Sequence, residues 1–305
     1  MSQNPLVSVI IITYNQENYI GQAINGVLMQ NFSENIEVII ADDNSPDNTE
    51  EVIKSFSDHP NFGCIKYFKH RENMGMMPNF IWAYNQCKGK YIALCEGDDY
   101  WIDSLKLQKQ VDFLERNPEY SLTFHKIKEL TTQEEKFTFT NPDEEKTYTI
   151  SDLSKENFII TVSVVFKKNI ATMPDWLQYS PIGDYPLHLL NASYGLIKYF
   201  PDEMAVYRVG SGTWSTQNTV DQIINTMFSL RFLLQHFKND KDIFDHLKIQ
   251  YTNFQKTLLR PFEERKSLEM KVKDYNYLES ITSFSSLLKM AKIKIVKKLK
   301  NRNSN

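Results

Sequence analysis

The sequence has few cysteines and no long apolar run, and both shortages limit what kind of protein it is. Its 305 residues include three cysteines, an odd number without CxxC spacing. Cys64, Cys87 and Cys95 lie in or beside apolar stretches, which predicts buried free thiols and not disulfides or a metal site. No run of about 18 apolar residues predicts a membrane span, and the N-terminus lacks the basic and apolar regions of a signal peptide. We therefore expect a cytoplasmic, globular protein.

Charge is unevenly distributed along the chain. No acidic residue follows Glu279, whereas seven lysines and arginines do. If residues 282–300 are helical, apolar side chains form one stripe flanked by lysines. The stripe consists of Phe284, Leu288, Ala291, Ile295 and Leu299. This pattern predicts that residues 282–305 either contact the inner face of the cell membrane peripherally or form a solvated terminal helix. The acidic remainder argues against nucleic acid as a partner.

Short apolar runs alternate with helical patterns from residue 7 to about residue 125, as a parallel sheet with crossover helices requires. Strands are predicted at residues 7–12, 36–41, 64–68 and 90–94. Helices are predicted at residues 20–28, from residue 47, at 78–87 and at 103–116. The first part of the chain is therefore predicted to be an α/β unit of the nucleotide-binding type.

The rest of the chain is less regular. A polar stretch at 131–146 predicts a hairpin or loop. Strands are expected at 162–166 and 204–208, a helix at 185–194, and helices beyond 218 with an interruption at Pro261. We divide the chain into three parts, residues 1–125, residues 126–215 and a helical C-terminal region (216–305).

Polar residues follow three of the predicted strands. They are Thr13, Tyr14 and Asn15 after the first, Asp42, Asp43, Asn44 and Ser45 after the second, and Asp98 and Asp99 after the fourth. In a parallel sheet these exits open on one crevice, where such sheets bind ligands. Each turn alone has a structural explanation as a cap or turn. Adjacent carboxylates at such an edge suit Mg²⁺ or Mn²⁺, which keeps several waters and binds phosphate oxygens.

The motifs around these turns resemble the inverting family 2 glycosyltransferases with the GT-A fold, of the bacterial surface-polysaccharide type. The resemblance rests on residues 7–15, on 41–47, on Asn73-Met74-Gly75 and on Glu96-Gly97-Asp98-Asp99. It covers about the first 125 residues strongly and extends more weakly to about 215. It implies that residues 1–125 are the nucleotide-sugar-binding part and residues 126–215 the acceptor-binding part. The implied fold is a Rossmann-like, mostly parallel sheet with flanking helices and a helical C-terminal extension. Four short motifs in order are far more specific than any one alone.

The resemblance also implies roles for residues of the donor site. Thr13 and Asp43 would contact the base, uracil in a UDP-sugar, with Tyr14, Asn15 and Asp42 beside them. Asn73 and Gly75 would border the nucleotide. Asp98 would contact the ribose or share the ion, and Asp99 would coordinate the Mn²⁺ or Mg²⁺ that bridges the diphosphate.

The resemblance places the catalytic base at Asp184, at the start of a predicted helix. From the residues alone, Asp184 could equally cap the helix before Pro186. His188, one turn later, is a weaker candidate and is better explained as a packed side chain. The acceptor would be a hydroxyl of a glycan or of a polyprenyl-linked oligosaccharide.

Two other functions remain open. A non-catalytic subunit that binds a nucleotide-sugar or assembles partners is one of them, because Gly210 stands where related enzymes often have a histidine. Gly210 and Gly212 suggest a flexible lid, in which Trp214 either closes over the ligand or anchors the loop. A sugar-1-phosphate nucleotidyltransferase is less consistent with the sequence, because residues 13–16 are not the glycine-rich, arginine-containing loop that such an enzyme needs.

Overall fold

The computed structural model describes residues 4–265, apart from 132–135, 140–142 and 213. The chain forms two compact units, Met1–Asn218 and a second that begins at Thr219. The basic segment 282–305 lies outside the described residues, so its amphipathic helix stays a prediction. Within the described part of the chain, no helix is both long enough and apolar enough to cross a membrane.

The first unit is a mixed sheet with helices on its faces. Its strands are β1 (Val7–Thr13), β2 (Ile36–Asp42), β3 (Ile65–Lys69), β4 (Tyr91–Leu94), β5 (Tyr100–Trp101), β6 (Tyr120–Thr131), β7 (Lys136–Phe139), β8 (Lys146–Tyr148), β9 (Val165–Lys167) and β10 (Leu196–Val209). Its helices are α1 (Ile20–Leu28), α2 (Thr49–Lys54), α3 (Met76–Gln86), α4 (Lys106–Arg116), α5 (Ile150–Leu153) and α6 (Asp184–Ala192).

The strand order is β3, β2, β1, β4, β9, β6, β10, β5, with β7 paired to β6 and β8 paired to β10. Strands β1 to β4 are parallel, with β1 in the middle between β2 and β4. Strand β9 pairs antiparallel to both β4 and β6. Strands β1, β2 and β4 are almost wholly buried, which is why they read in the sequence as continuous apolar runs. The parallel half confirms the predicted nucleotide-binding type of sheet.

Helix α1 lies unusually close to the short strand β5. A Cβ atom added to Gly26 would lie 2.8 Å from both the backbone nitrogen and the backbone oxygen of Trp101. The Trp101 ring is 1% exposed, and its Nε1 donates to the backbone oxygen of Val162 at 3.1 Å. Trp101 is therefore a core residue.

A buried lysine lies next to Trp101. The Lys106 ammonium donates to Oε1 of Gln110 at 3.0 Å and lies 4.2 Å from the centre of the Trp101 ring. Burial lowers the pKa of Lys106 to about 7, and the nearby Cys95 thiol opposes this shift. The charge of Lys106 in turn helps to lower the pKa of His125, a shift that burial dominates.

Several predictions differ from the structure in detail. The strand expected at 162–166 begins only at Val165, because residues Thr161–Ser163 form a 3₁₀ turn. The carbonyls of Val162 and Ser163 accept from Trp101 and Gln110 instead of from a neighbouring strand. The strand expected at 204–208 is the end of the longer β10. The hairpin expected within 131–146 is confirmed by the antiparallel pairing of β6 and β7.

The second unit contains α7 (Thr219–His236) and α8 (Lys241–Arg265) among its described residues. The predicted interruption at Pro261 is wrong, because α8 continues through it to Arg265. A proline removes its own N–H donor and with it one helical hydrogen bond, and α8 spans this loss. Cys87 and Cys95 are buried free thiols, as expected, whereas the free thiol of Cys64 is only half-buried.

Candidate active site

The exits of β1 and β2 are joined by hydrogen bonds. The backbone nitrogen of Asp43 donates to the carbonyl of Thr13 at 2.9 Å. Asn15 has a φ of 58°, and its nitrogen donates to Oγ of Ser45 at 2.9 Å. Asp42 is fully buried, and its carboxylate accepts from the nitrogen of Ser45 and the hydroxyl of Tyr67. Asp42 therefore stabilises this turn from its buried side.

Asp43 fastens the glycine loop to the end of β2. Its Oδ1 accepts from the nitrogen of Met74 at 2.6 Å, and its Oδ2 accepts from the nitrogen of Gly75 at 2.8 Å. The Asn73 side chain donates to the carbonyl of Asp43 at 3.1 Å. Gly75 has a φ of 96°, a conformation that favours glycine. In this geometry Asp43 has one lone pair on each oxygen left for a ligand.

The surface of this crevice is formed by fewer residues than the sequence suggested. Tyr14 is 49% exposed, whereas Thr13 and Asp43 are 3% exposed. The Thr13 hydroxyl donates to Oε1 of Gln16 at 2.8 Å. Tyr14 is therefore accessible to a ligand directly, and Thr13 is held inward by Gln16.

The turn after β4 lies against the exit of β1. The nitrogen of Gly97 donates to the carbonyl of Ile12 at 3.1 Å. A side chain at Gly97 would collide with Oε1 of Gln16 and would lie 3.0 Å from Oγ1 of Thr13. Glycine is needed here because only a residue without a Cβ permits this approach. The acidic turn and the β1 exit thus form one wall, as the topology predicted.

Asp98 and Asp99 are both tied to the end of β10. Oδ1 of Asp99 accepts from the backbone nitrogen of Arg208 at 2.8 Å. Oδ2 of Asp98 accepts from the Ser211 hydroxyl at 3.0 Å, and a Cβ atom on Gly212 would also lie 3.0 Å from it. The loop after β10 therefore lies directly against the Asp98 carboxylate.

Arg208 holds this arrangement together through its side chain. Its guanidinium donates to the carbonyl of Asp98 and to Oε1 of Gln22. It also lies between two aromatic rings, 5.0 Å from the centre of Tyr19 and 4.6 Å from that of Tyr100. A planar guanidinium can stack and donate at the same time, which an ammonium cannot do.

Asp184 is the first residue of α6, as the sequence predicted. The residue that caps the helix is Gly183, and no side chain caps it. Oδ2 of Asp184 accepts from the Asn157 side chain at 3.1 Å. A side chain at Gly183 would collide with Met77, which places the start of α6 against the start of α3, directly after the glycine loop. Asp184 is therefore not the N-cap residue of α6, but its carboxylate accepts from the backbone nitrogen of Tyr185 in the first turn.

Four carboxylates gather around this crevice. Burial first, and then repulsion from Asp98 and Asp184, raises the pKa of Glu96 to about 8. Burial raises the pKa values of Asp98, Asp99 and Asp184 as well. The charge of Arg208 lowers the pKa of Asp98 and of Asp99 but does not cancel the effect of burial. The crevice thus holds more negative charge than its own cation neutralises.

A divalent cation fits this excess of negative charge. Oδ2 of Asp99 is buried and has no hydrogen-bond partner among the described residues, and an unsatisfied buried carboxylate oxygen is costly. No group of three or more His, Cys, Asp or Glu side chains in the described chain is arranged to hold a metal by itself. Mg²⁺ and Mn²⁺ often bind through one or two carboxylates and take further ligands from water and phosphate.

Two other sequence candidates have clear structural roles. His188 is fully buried, and burial lowers its pKa to about 3, so it is the packed, neutral side chain that was expected. Gly210 has a φ of 96°, and its nitrogen donates to Oγ of Ser215 at 2.8 Å. A histidine would be strained in that conformation, which accounts for glycine at this position. Trp214 is 39% exposed, and this exposure is compatible with either of its two roles.

Sequence reasoning assigned no role to four residues that the structure brings into the site: Gln16, Glu96, Arg208 and Ser211. Glu96 belongs to the acidic motif, and its position two residues before Asp98 could have identified it. Arg208 is the charged residue that ends the otherwise uncharged segment 204–208. A buried arginine in such a strand needs an acidic or carbonyl partner. This requirement could have identified Arg208 as a residue that contacts the acidic turn.

The fold is similar to that of solved structures in complex with nucleotide-sugars. TarS residues 1–349 from S. aureus, in complex with UDP-GlcNAc, matches with a TM-score of 0.62 at 19% identity, over 88% of this chain and 77% of that one. The mannosyltransferase PcManGT from Pyrobaculum calidifontis, in complex with GDP-Man and Mn²⁺, matches with a TM-score of 0.61 at 13% identity, over 98% and 88%. The predicted GT-A class of fold is confirmed.

The sequence comparisons define the family. The family model described as Glycosyl transferase family 2 matches residues 8–172. An uncharacterized protein from Mycobacterium tuberculosis is 36% identical over 216 residues, which is 70% of this chain and 62% of that protein. An uncharacterized glycosyltransferase from Rickettsia typhi is 28% identical over 73% of this chain and 70% of its own length. The chain belongs to glycosyl transferase family 2, and its match spans about three fifths of the mycobacterial relative.

Proposed function

We propose that this protein is a metal-dependent, inverting glycosyltransferase. It transfers a sugar from a nucleotide-sugar, with a UDP-sugar favoured, to a hydroxyl of a glycan or of a polyprenyl-linked oligosaccharide. The observation that carries this proposal is the close approach of Gly183, the residue before Asp184, to Met77 of α3. It brings the start of α6 next to the glycine loop that Asp43 holds, as a site that holds a donor and a base together requires.

Asp184 is the proposed catalytic base. Its carboxylate accepts the proton of the acceptor hydroxyl as that oxygen attacks the anomeric carbon. The bond from the anomeric carbon to the nucleoside diphosphate breaks in the same displacement, so the configuration inverts. Burial raises the pKa of Asp184 and makes it a stronger base, and the amide of Asn157 holds one of its oxygens.

The donor is proposed to bind along the wall formed by the exits of β1, β2 and β4. Thr13, Tyr14, Asn15, Asp42, Asp43, Asn73, Gly75 and Asp98 make up this proposed donor site. Asp43 supports it by fixing the glycine loop, and the exposed Tyr14 ring faces solvent where a base could stack. Known complexes of this fold contain UDP-GlcNAc in one case and GDP-Man in another, so both kinds of donor need to be tested.

Asp99 and Asp98 are the proposed metal-binding residues. When bound, Mn²⁺ or Mg²⁺ supplies Lewis-acid stabilisation of the negative charge that develops on the departing diphosphate. The unpartnered Oδ2 of Asp99 and the raised pKa values of both aspartates support this assignment. Arg208 and Ser211 orient the turn that carries them.

One substitution distinguishes the proposed enzyme from the alternative of a non-catalytic binding subunit. Asp184→Asn should reduce turnover of UDP-GlcNAc or GDP-mannose, including slow hydrolysis, by a factor of about 10² to 10⁴. Its affinity for the nucleoside diphosphate should stay within about twofold, because Asp184 lies outside the proposed donor site. Asp175→Asn, at an exposed carboxylate, is the matched control and should leave both properties unchanged. Equal turnover in Asp184→Asn and wild type would refute the assignment of the base.

Membrane contact through residues 282–305 is proposed from the sequence alone. Such contact would bring the enzyme to a polyprenyl-linked acceptor. Sedimentation of the full chain and of a chain ending at residue 281 with anionic vesicles tests it. The account expects stronger sedimentation of the full chain at low salt, and equal sedimentation would contradict it.

A further inference from the structure

A second cavity lies at the edge of the sheet opposite the candidate active site. Its volume is about 400 Å³, and its walls are Asn4, Pro5, Lys88, Gly89, Lys90, Lys167, Lys168 and Asn169. That volume lies within the range of small-molecule sites in proteins. Four of its eight wall residues are lysines, and neither the proposed donor site nor the proposed base includes any of them.

The sheet topology brings these lysines together. Val7 of β1 is in register with Tyr91 of β4, and Tyr91 is in register with Lys167 of the antiparallel β9. The start of β1, the start of β4 and the end of β9 therefore share one edge. Strand β1 has seven residues, and at about 3.3 Å per residue it separates this cavity from Thr13 by about 20 Å. The cavity is therefore distinct from the donor site.

The floor of the cavity is closely packed. The nitrogen of Gly89 donates to Oγ of Ser8 at 2.8 Å, and a Cβ atom on Gly89 would lie 2.5 Å from the nitrogen of Ser8. The nitrogen of Lys88 donates to Oε1 of the buried Glu37 at 2.6 Å. The nitrogen of Lys168 donates to the carbonyl of Lys90 at 2.9 Å. The backbone that carries the lysines is thus fixed before any ligand binds.

Positive charge on the walls exceeds the negative charge that neutralises it. The Lys90 ammonium pairs with Glu115 at 2.8 Å. Among the described residues, no carboxylate lies within 4.0 Å of the ammonium of Lys88, Lys167 or Lys168. The Lys167 ammonium donates to the carbonyl of Pro118 at 2.9 Å, and the Lys168 ammonium donates to that of Cys87. An ammonium has three donors, so these lysines retain N–H groups for a ligand.

We propose that this cavity binds a phosphate group. Four lysines in the walls of one cavity favour a compact group with several negative charges, and lysine is a common phosphate ligand that acts as a point charge. Asn4 and Asn169 are exposed on the cavity walls and add amide donors. The concave shape and limited volume of the cavity favour a small phosphorylated molecule over a partner that presents a flat surface.

The test is a calorimetric titration of inorganic phosphate and of pyrophosphate into the full chain at low, constant ionic strength. Saturable binding is expected, weakened about tenfold by the double substitution of Lys88→Gln and Lys90→Gln. These two lysines are exposed, so the fold should tolerate the change. The matched control is the double substitution of Lys54→Gln and Lys155→Gln. These two lysines are exposed and do not line the cavity, so the affinity of this variant for phosphate should equal that of the wild type.

A second measurement locates the ligand. Phosphate should protect Lys88 and Lys90 from acetylation, read by mass spectrometry, and should leave Lys155 as reactive as before. Vesicles with and without phosphatidylglycerol distinguish a lipid headgroup from a free phosphate, because only a headgroup site makes vesicle binding depend on Lys88 and Lys90. Absence of saturable binding, or binding that the double substitution does not weaken, would overturn the proposal.

Discussion

Two glycines in helix α1 should respond in opposite directions to the same substitution. A Cβ atom at Gly21 would make ordinary contact with Cγ1 of Val52 at 3.5 Å, whereas one at Gly26 would lie 2.8 Å from backbone atoms of Trp101. Alanine is favoured over glycine inside a helix by about 1 kcal/mol. Gly21→Ala should therefore raise the free energy of unfolding by up to about 1 kcal/mol.

Gly26→Ala should instead destabilise the protein. Backbone atoms cannot rotate away as a side chain can, so α1 and β5 must separate, and overpacking of this kind costs about 1 to 3 kcal/mol. After the gain in helix propensity of about 1 kcal/mol, a net loss of up to about 2 kcal/mol is expected. Strand β5 follows directly after Asp99, so the acidic turn should shift with it and metal-dependent nucleotide binding should weaken as well.

Urea denaturation of both variants, followed by circular dichroism, gives the comparison. The two midpoints should move to opposite sides of the wild-type midpoint. Equal stabilisation by both substitutions would show that α1 and β5 are not in the close contact described, and the reasoning about this interface would fail.

Three further predictions concern buried charge and the loop after β10. Lys106 has a pKa of about 7 in the folded protein and about 10.4 when unfolded. The unfolded state therefore binds more protons between these values, and the free energy of unfolding of the wild type, relative to that of Lys106→Met, should rise by up to about 1.4 kcal/mol per pH unit from pH 8 to 9.5 in urea denaturation. A pH-independent difference would contradict this. Arg208→Lys loses the planar fork that stacks between two tyrosines and should weaken Mn²⁺-dependent UDP binding about tenfold in calorimetry; unchanged affinity would refute its positioning role. Gly212→Ala places a methyl group 3.0 Å from Oδ2 of Asp98 and should weaken Mn²⁺ binding in the same assay, with Gly63→Ala, where a Cβ atom meets nothing within 4 Å, as its control.

The parallel half of the fold could be predicted from the sequence because it depends on local pattern. Strands buried on both faces read as apolar runs, and crossover helices read as helical periodicity. The exits of β1, β2 and β4 therefore fell where expected, and Asp184 began a helix as expected. The antiparallel strands β5, β8 and β9 are two or three residues long, too short to show a period.

Roles that depend on distant partners could not be predicted in this way. Arg208 and Asp98 are 110 positions apart, and no local pattern links a strand residue to a turn so far away. Asp43 was expected to contact a base, and the sequence alone does not show that both its oxygens hold the glycine loop. The short turn at Thr161–Ser163 replaced part of an expected strand because Trp101 and Gln110 compete for its carbonyls.

The central claim is that the strand exits bind a nucleoside diphosphate through a divalent metal. Calorimetric titration of UDP, and in parallel of GDP, into the full chain with Mn²⁺ and then with EDTA tests this claim most directly. The account predicts saturable binding of a nucleoside diphosphate with Mn²⁺ that is lost or strongly weakened with EDTA. Absence of binding by both nucleotides under both conditions would contradict the proposed donor site.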